Sequence, residues 1–437
     1  MAKNLGTENG VRGSRVWARL LGVDKAVVED VEFDEDAQVL VGHVRAYRRE
    51  RRRCGVCRRR SPGYDAGEGR RRWRGLDLGT VQAFVEADAP RVWCVVHGVV
   101  VAAVPWARHG AGHTYGFDDT VAWLATACSK TAVTALMRIA WRTVGRIVTR
   151  VCGDIDQGVD RFAGLARIGI DEISYRKHHK YLTIVVDHDR GRLIWAEPGR
   201  DATTLGTFFD ALGPQRCAQL THVSADGAGW IARLVAQRAP QAVLCIDAFH
   251  VVAWATEALD EVRRAAWNDA RRGTGSGRRR TAGGRVINLG RGDAKKLKRA
   301  RWALWKNPEN LTDAQRAKLD WIAKTDPRLH RAWLLKEGLR WVFTVKGETG
   351  KQGLHRWISW ARRCRIPLFV ELQRKITRHL PAIHATLDHR LSNALIESTN
   401  TKIRVLTRVA FGFKDPHALI ALAMLALGGY RPALPGR

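Results

Sequence analysis

Residues 167–173, Arg-Ile-Gly-Ile-Asp-Glu-Ile, decide the fold, because this apolar run predicts a buried β-strand that contains a carboxylate. Two further strands follow, joined by a turn at residues 188–191, and the chain then alternates helix and strand. The predicted elements are strands at Ile168–Ile173, Tyr181–Asp187 and Arg192–Ala196, a helix at about Ala202–Leu212, a strand at Thr221–Ala225, a helix from Gly229 to about Arg238 and a strand at Ala242–Asp247. Three antiparallel strands followed by helix, strand, helix and strand is the order of an RNase H-like core, so we predict a multidomain α/β protein built around that fold.

Three carboxylates, Asp171, Asp226 and Glu397, occupy positions where such a core could hold metal. Asp171 and Asp226 are expected at the tips of the first and fourth strands, and Glu397 lies in a helix predicted around residues 393–400. Together they could hold two magnesium (or manganese) ions about 4 Å apart and clamp the attacking and leaving oxygens of a phosphodiester. A single strand-end Asp is more often a turn or cap residue. The set of three predicts metal-dependent cleavage of nucleic acid.

The charge of the chain indicates the same substrate class. The chain has 437 residues, with 74 Lys+Arg against 43 Asp+Glu and a formal net charge of +31, so its surface repels itself unless a polyanion is bound. No membrane partner is expected, because the longest clearly apolar helix candidate, residues 418–427, is about half a bilayer span. The N-terminal residues lack the apolar core of a signal peptide. The eight cysteines show no secretory disulfide pattern, which favours a reducing cytoplasm.

A zinc site is predicted in the N-terminal region, where short β-like runs alternate with basic loops. Cys54-Gly-Val-Cys57 and Cys94-Val-Val-His97 form two knuckles separated by a β-rich insert. They can bring three sulfurs and one imidazole into the tetrahedron that zinc prefers. The alternative is that Cys94 and His97 are unrelated to the first pair. A CxxC in a basic hairpin has no evident packing role, so we expect one structural zinc ion.

Nine arginines crowd around the first knuckle, between Arg45 and Arg60. A charge run is usually a solvated face, but this density is costly unless phosphates neutralise it. The segment, with Arg51, Arg52 and Arg53 at its centre, is therefore predicted to contact the DNA backbone.

A helix-turn-helix is predicted after residue 116. Phe117 begins one helix, Ser129 can cap a second, and a third begins near Arg142. The third has an apolar side formed by Val144, Ile147, Val148 and Val151, and a basic side formed by Arg142, Arg146 and Arg150. The basic side would lie in a major groove, where arginine reaches guanine edges or phosphates. An ordinary amphipathic helix with solvated arginines is the alternative.

Residues 248–390 interrupt the alternation of strands and helices and predict an α-helical insertion. They hold nine of the 17 tryptophans. Most of these are expected to pack between helices, although one could stack on an unpaired base. The Gly/Arg-rich stretch Arg271–Arg285 is predicted to be disordered.

The helix that carries Glu397 has a polar face. At about 100° per residue, Leu395, Leu406 and Val409 fall on one side, and the other side holds Glu397, Asn400, Thr401, Arg404 and Arg408. A carboxylate flanked by Asn and two Arg suits a metal beside a phosphate backbone. Surface salt bridging is the alternative.

These elements together resemble the ISL3-type insertion-sequence transposases, DDE enzymes of bacterial mobile elements, over nearly the whole chain. The most specific matches are the block Asp247-Ala248-Phe249-His250 and the closing Glu, Asn, Arg and Gly-Phe pattern between Glu397 and Phe413. The other matching stretches are the two knuckles and residues 72–79, 170–172 and 224–227. One departure is visible, since relatives commonly end the zinc site in a second CxxC. His109 or His113 could therefore compete with His97 as the fourth ligand.

The resemblance implies that Asp171, Asp226 and Glu397 are the metal ligands and that His250 belongs to a DxxH motif. His250 could orient a phosphate or protonate a leaving oxygen, or it could be a satisfied core histidine. The implied partners are double-stranded DNA, as terminal inverted repeats and as target, and further copies of the chain in a homodimer or higher oligomer. The expected location is the bacterial cytoplasm, in association with the nucleoid.

Two other functions fit part of the pattern. A domesticated, non-catalytic DNA-binding regulator would need the zinc and helix-turn-helix modules but not all three acids. A structure-selective nuclease of the same fold would need the acids but not two DNA-reading modules. The expected domains are a basic zinc-binding domain (1–115), a helix-turn-helix domain (116–160), the first part of the core (161–265), an α-helical insertion (266–385) and the second part of the core (386–437).

Overall fold

The computed structural model describes residues 3–4, 10–176, 180–272, 279–280, 286–287, 291–345, 347–389, 391 and 394–436. The chain forms two compact units. Met1–Asp160 and Val405–Arg437 make up the first unit, and Arg161–Arg404 make up the second. Most of the stretch predicted to be disordered at Arg271–Arg285, and Asn393 before the Glu397 helix, lie outside the described residues.

Short strands build the N-terminal part of the first unit, as predicted. In chain order the elements are β1 (Lys3–Asn4), α1 (Gly10–Leu20), β2 (Ala26–Asp34), β3 (Val39–Ala46), β4 (Gly63–Asp65), β5 (Arg70–Arg74), β6 (Gln82–Asp88), β7 (Arg91–Cys94) and β8 (Gly98–Val101). One sheet has the order β1-β2-β3-β6-β5, and a smaller sheet has the order β4-β7-β8. Side chains alternate along β6, so Ala83, Val85 and Ala87 enter a core that also holds Trp73 and Trp106.

Three helices follow, α2 (Tyr115–Ala127), α3 (Lys130–Met137) and α4 (Trp141–Gly158). Ser129 caps α3 as predicted, since its hydroxyl accepts a hydrogen bond from the backbone N–H of Ala132. The predicted apolar side of α4 is also confirmed, because its buried residues include Val144, Ile147, Val148 and Val151.

Arg150 on α4 departs from the predicted DNA-facing stripe. Its guanidinium donates two hydrogen bonds of 3.0 Å to the carboxylate of Asp118 on α2, which is fully buried. Buried Arg108 reaches three carboxylates in the same network, those of Asp118, Asp119 and Asp154. A carboxylate without solvent needs a charged partner, so the prediction of one free stripe is wrong at Arg150. Arg142 and Arg146 stay exposed.

A mixed five-stranded sheet forms the centre of the second unit. Its strands are β9 (Arg167–Arg176), β10 (Lys180–Asp187), β11 (Arg192–Pro198), β12 (His222–Ala225) and β13 (Val243–Ile246), in the order β11-β10-β9-β12-β13. Strand β10 is antiparallel to β9 and β11, whereas β12 is parallel to β9 and β13. The connecting helices are α5 (Ala202–Leu212), α6 (Pro214–Cys217) and α7 (Gly229–Arg238). The predicted order of strands and helices is confirmed, with α5 and α7 at the predicted bounds.

Asp171 lies inside β9 rather than at its tip. Strand β9 continues to Arg176 because it pairs with β10, and Asp171 stands opposite Ile184 in that ladder. The parallel neighbour β12 is shorter and pairs only with Arg167, Ile168 and Gly169. Asp171 therefore lies just beyond the ladder with β12, and Asp226 follows the last residue of β12. The predicted strand-tip position is wrong for Asp171 and confirmed for Asp226.

The described residues of the region after β13 are helical, as predicted, apart from two strands of two residues. Its elements are α8 (Ala248–Arg272), β14 (Arg279–Arg280), β15 (Val286–Ile287), α9 (Arg291–Lys298), α10 (Arg301–Trp305), α11 (Asp313–Thr325), α12 (Pro327–Val345), α13 (Gly347–Arg362), α14 (Pro367–Arg378) and α15 (Leu380–His389). Helix α8 continues unbroken through residue 266, where the insertion was expected to begin. Six of the nine tryptophans belong to or pack against the core of this region, whereas Trp302, Trp341 and Trp360 are exposed.

Helices α16 (Ala394–Val409) and α17 (Pro416–Leu427) follow. Helix α16 exposes Glu397, Arg404 and Arg408 as predicted, but its buried residues are Ile396, Thr399, Asn400 and Ile403. Leu395, Leu406 and Val409 were placed opposite the polar face, but none of the three is among the buried residues, whereas Asn400 of the predicted polar face is buried and contacts Asp171. Within the described part of the chain, no helix has the length and apolarity to cross a membrane.

We expect the Asp118–Arg150 ion pair to stabilise the first unit. Removing one partner of a buried pair usually costs about 3–5 kcal/mol, and Arg150→Ala should cost about 2–3 kcal/mol because Arg108 remains beside Asp118. Exposed Arg146→Ala should change stability by less than about 0.5 kcal/mol. Urea unfolding of the full chain, followed by tryptophan fluorescence, compares the two variants. Equal midpoints would show that Asp118 does not depend on Arg150.

Candidate zinc centre and carboxylate site

Cys54, Cys57, Cys94 and His97 come together in the first unit as predicted, with their ligand atoms all within 4.8 Å of one another. The Sγ atoms of Cys57 and Cys94 are 3.7 Å apart. His97 Nδ1 lies 3.6 Å from the Sγ atoms of both Cys54 and Cys94. A tetrahedral site with Zn–S bonds of about 2.3 Å has edges of about 3.8 Å, so this spacing fits zinc.

The surroundings of the sulfurs suit a metal-bound thiolate. The backbone N–H groups of Val96 and His97 lower the pKa of the Cys94 thiol to about 6. Burial raises the pKa of the Cys54 thiol. Zinc binds the deprotonated form, so a bound ion would compensate for the burial of Cys54.

The two competing histidines lie outside this cluster. His113 stacks on Phe117 with ring centroids 4.9 Å apart, and its Nδ1 is 3.6 Å from the carboxylate of Asp118. Burial lowers the pKa of His113 to about 4 and lowers the pKa of His109 as well. His97 is therefore the fourth residue of the cluster.

Asp171 is held by hydrogen bonds to both carboxylate oxygens. The backbone N–H of Glu172 donates to Oδ1 at 2.7 Å, and the side-chain amide of Asn400 donates to Oδ2 at 2.7 Å. Burial raises the pKa of Asp171, and the nearby Asp226 charge adds to that rise. His250 and the two hydrogen bonds act in the opposite direction. Burial disfavours the charge of this half-buried, fixed carboxylate, and a bound cation would offset that cost.

Asp226 is placed by the loop between β12 and α7. Its Oδ1 accepts a hydrogen bond of 3.0 Å from the backbone N–H of Ala228, which closes a turn. Gly227 packs so closely that a Cβ there would lie 2.4 Å from Cζ2 of Trp254. The ring of Trp254 on α8 therefore borders the loop that presents Asp226.

Glu397 approaches the sheet because α16 packs directly on Gly169 of β9. A Cβ at Gly169 would lie 2.4 Å from Cδ1 of Ile396 and 2.7 Å from Nε2 of His188. Burial raises the pKa of Glu397, and the charges of Asp247 and Asp171 raise it further. A glycine between two isoleucines inside a strand indicates such a close approach. Gly169 is therefore the feature of residues 167–173 that indicates a second element packed against β9.

His250 pairs with Asp247 at the start of α8. The distance from His250 Nδ1 to Asp247 Oδ2 is 3.0 Å. This hydrogen bond raises the pKa of His250, and the charges of Asp171 and Asp226 contribute to the rise. His250 is half-buried and in electrostatic reach of two predicted metal ligands.

The three acids influence one another but form a more open group than the zinc cluster. The charge of Asp226 raises the pKa of Asp171, and the charge of Asp171 raises the pKa of Glu397. Among the described residues, only the Cys/His cluster has three or more ligand atoms that all lie within 4.8 Å of one another.

A further acid, Glu172, borders this site. Its carboxylate is largely buried and forms an ion pair with Arg200, whose guanidinium lies 4.9 Å from the ring centroid of Tyr181. Burial raises the pKa of Glu172, and the charge of Asp226 raises it further. Nothing in the sequence pattern indicated that Arg200 forms an ion pair with Glu172.

The arginines near the zinc cluster that were predicted to contact DNA differ in their exposure and in their hydrogen bonds to the protein. Arg51 and Arg52 are exposed and line a basin together with Arg48, Arg49 and Arg60, and Arg51 also donates to the backbone carbonyl of Ala46 at 2.9 Å. Arg53 is half-buried, and its guanidinium donates to the backbone carbonyls of Arg58 and Arg49, so it stabilises the loop.

Comparisons with known proteins identify the family. Residues 168–423 match a transposase domain of the DDE type, residues 102–152 match the helix-turn-helix domain of transposase family ISL3, and residues 50–97 match the zinc-finger of transposases IS204, IS1001, IS1096 and IS1165. The chain belongs to the ISL3 family of transposases. It is thus a DNA-binding enzyme with a zinc ribbon, a helix-turn-helix and a metal-dependent DDE domain.

Individual relatives support the assignment over the full length. The transposase for insertion sequence element IS1557 from two Mycobacterium tuberculosis strains, CDC 1551 / Oshkosh and H37Rv, is 64% identical over 436 residues, which cover 98% of each chain. The transposase for insertion sequence element IS1001 from Bordetella parapertussis is 24% identical over 349 residues, 79% of this chain and 81% of that protein.

Cys57→Ser should remove the zinc and destabilise the β-rich part of the first unit, because three ligands hold the ion weakly and the knuckles lack another cross-link. Cys128→Ser, at an exposed cysteine outside the cluster, is the matched control. Metal analysis of the purified full chain should find one zinc in the wild type and the control, and less than about half an equivalent in Cys57→Ser. A full equivalent in Cys57→Ser would rule out this ligand set.

Gly169→Ala should displace α16 and lower DNA cleavage, because the new methyl group overlaps Ile396 beside Glu397. Overpacking of this kind costs about 1–3 kcal/mol. Ile396→Val deletes the Cδ1 atom nearest to the new methyl, so the double variant should recover part of both stability and cleavage. Cleavage and urea unfolding are measured on the three variants. Additive losses in the double variant would contradict a direct clash.

Proposed function

We propose that this transposase binds the terminal inverted repeats of an insertion sequence, cleaves them by metal-dependent hydrolysis and joins the freed 3′-hydroxyls to target DNA. The proposal is supported by the position of Asp171 and Asp226 at the same end of the β9–β12 ladder and by the electrostatic influence of Asp171 on Glu397. Zinc and helix-turn-helix modules in the same chain supply the DNA binding. The IS1557 relatives are transposases of an insertion sequence, which supports the same reaction class.

We infer an RNase H-like core interrupted by an α-helical insertion. The strand order β11-β10-β9-β12-β13 and the alternation of β12, α7 and β13 support this fold. The helical region leaves the sheet after β13 and returns to it, since buried Thr386 on α15 donates to the carbonyl of Ile246 at 2.6 Å. We retain the five segments 1–115, 116–160, 161–265, 266–385 and 386–437 as a proposed organisation, with residues 405–437 packed in the first unit.

Magnesium or manganese, held by the three acids, would activate the attacking oxygen and stabilise the leaving oxygen at the phosphodiester. Asp171 is the anchor of the site, because Asn400 and the Glu172 N–H fix both of its oxygens. Asp226 approaches from the β12 loop and Glu397 from α16. Glu172 and Asp247 border the ligands, and Arg200 and His250 balance their charge.

His250 is proposed to hold a phosphate oxygen or to protonate the leaving 3′-oxygen. Its Nδ1 is engaged with Asp247, which leaves Nε2 for the substrate. A raised pKa keeps the ring protonated nearer to neutral pH, as a proton donor requires.

DNA contacts are proposed for the exposed arginines of both units. Arg142 and Arg146 would enter a groove, and Arg51 and Arg52 would bind phosphates at the basin beside the zinc cluster. Arg404 and Arg408 of α16 would contact the strand held by Glu397. Arg53 and Arg150 shape these surfaces through their own contacts rather than reaching DNA freely. A homodimer or higher oligomer is proposed for the synaptic complex, since two ends must be joined together.

Asp171→Asn, Asp226→Asn and Glu397→Gln should each abolish cleavage and strand transfer and leave end binding within about twofold, because the acids hold metal while other modules hold DNA. The matched control is Asp210→Asn, at an exposed acid on α5, which should cleave like the wild type. Cleavage, joining and binding are measured on a duplex carrying one element end. If any of the three variants still cleaved DNA, the substituted residue would not be an essential metal ligand.

A further inference from the structure

Lys375 on α14 lies directly over an aromatic ring of the neighbouring helix α8. Its Nζ is 3.6 Å from the ring centroid of Trp254, a short cation–π contact. Trp254 lies four residues after His250 on α8, so the two side chains share a helix face. The ammonium group is therefore fixed on the side of α8 that carries His250.

The same ring borders the loop of Asp226. A Cβ at Gly227 would lie 2.4 Å from Cζ2 and 2.6 Å from Cη2 of Trp254, so the backbone of Gly227 is in contact with the ring edge. Asp226, Gly227, Trp254 and Lys375 thus form a continuous row. The row includes a predicted metal ligand and a cation from the helical region.

Lys375 has no ion-pair partner among the described residues. Burial lowers its pKa, while the charges of Glu257 and Asp226 raise it, which shows that both acids are in electrostatic reach. Arg374 and Arg378 are exposed on the same helix. This end of α14 therefore presents three basic residues beside a carboxylate site, and a polyanion would neutralise their charge.

We propose that Lys375, supported by Trp254, binds a backbone phosphate of the DNA strand immediately next to the phosphodiester that is cleaved. The proposal rests on the proposed function, because it takes Asp171, Asp226 and Glu397 as the position of the cleaved bond. Lys375 covers one face of Trp254 and Gly227 covers its edge. The ring therefore serves as a platform for the cation, and a base does not need to stack on it.

The test combines two changes: a Lys375 substitution removes a positive charge from the protein, and a methylphosphonate removes a negative charge from one phosphate of the DNA. The probe is a duplex carrying one element end, with single methylphosphonate substitutions at successive positions around the cleavage site. Dissociation constants are measured for the full-length wild type, Lys375→Gln, Lys375→Met and Lys375→Arg without added magnesium. Lys375→Met keeps an apolar chain on Trp254 and serves if the Gln variant folds poorly. Lys324→Gln, at an exposed lysine on α11, is the control.

We expect one methylphosphonate within two nucleotides of the cleavage site to weaken wild-type and Lys324→Gln binding about 5-fold to 10-fold and to have no effect on Lys375→Gln or Lys375→Met. The slope of log Kd against log salt should fall by about one ion in those two variants, and Lys375→Arg should behave like the wild type. The proposal would be overturned if the same methylphosphonate weakened DNA binding by Lys375→Met as much as it weakens binding by the wild type. It would also be overturned if no single methylphosphonate changed the dissociation constant of the wild type.

The two proposals can fail separately. Absent cleavage of the unmodified end by the wild type, or retained cleavage in Asp226→Asn, counts against the proposed function. The methylphosphonate comparison measures binding alone and reports on Lys375 even then.

Discussion

The carboxylate site depends on the packing of α16 against β9. Asn400 on α16 donates to Asp171 on β9 across a separation of 229 residues, and Ile396 rests on the backbone of Gly169 one turn earlier on the helix. The entropy of closing a long loop grows only slowly with its length, so a few well-placed contacts can hold the two elements together. A side chain at position 169 would overlap Ile396, the residue directly before Glu397.

The helical region fits between β13 and α16 without disturbing that contact. It leaves after Ile246 and returns where Thr386 hydrogen-bonds the carbonyl of the same residue. Its own core is large and apolar, which lets it form a stable body. It also brings side chains to the site, because α8 begins directly after Asp247, carries His250 in its first turn and continues to Trp254 beside the Asp226 loop.

Element order was predictable from sequence, and the exact pairing was not. Periodicity and turn residues predicted the strands from β9 to β13, and the cap at Ser129 predicted the start of α3. The position of Asp171 inside β9 depends on how far β10 and β12 extend along it, which is a property of pairing between strands. The role of Arg150 depends on Asp118 of another helix, and the side on which α16 packs depends on Asp171. A helical projection treats each element alone and therefore placed Arg150 with the free arginines and Asn400 on the exposed side.

We propose that Asp171, Asp226 and Glu397 together hold two divalent ions. The most direct measurement is an anomalous difference map from crystals of the full chain with an element-end duplex and manganese. We predict two manganese peaks about 4 Å apart, with Asp171 beside both, and a separate zinc peak at Cys54, Cys57, Cys94 and His97. Manganese peaks that lie away from these three acids would contradict the proposed two-ion site. The absence of manganese peaks in crystals with fully occupied DNA would also contradict it.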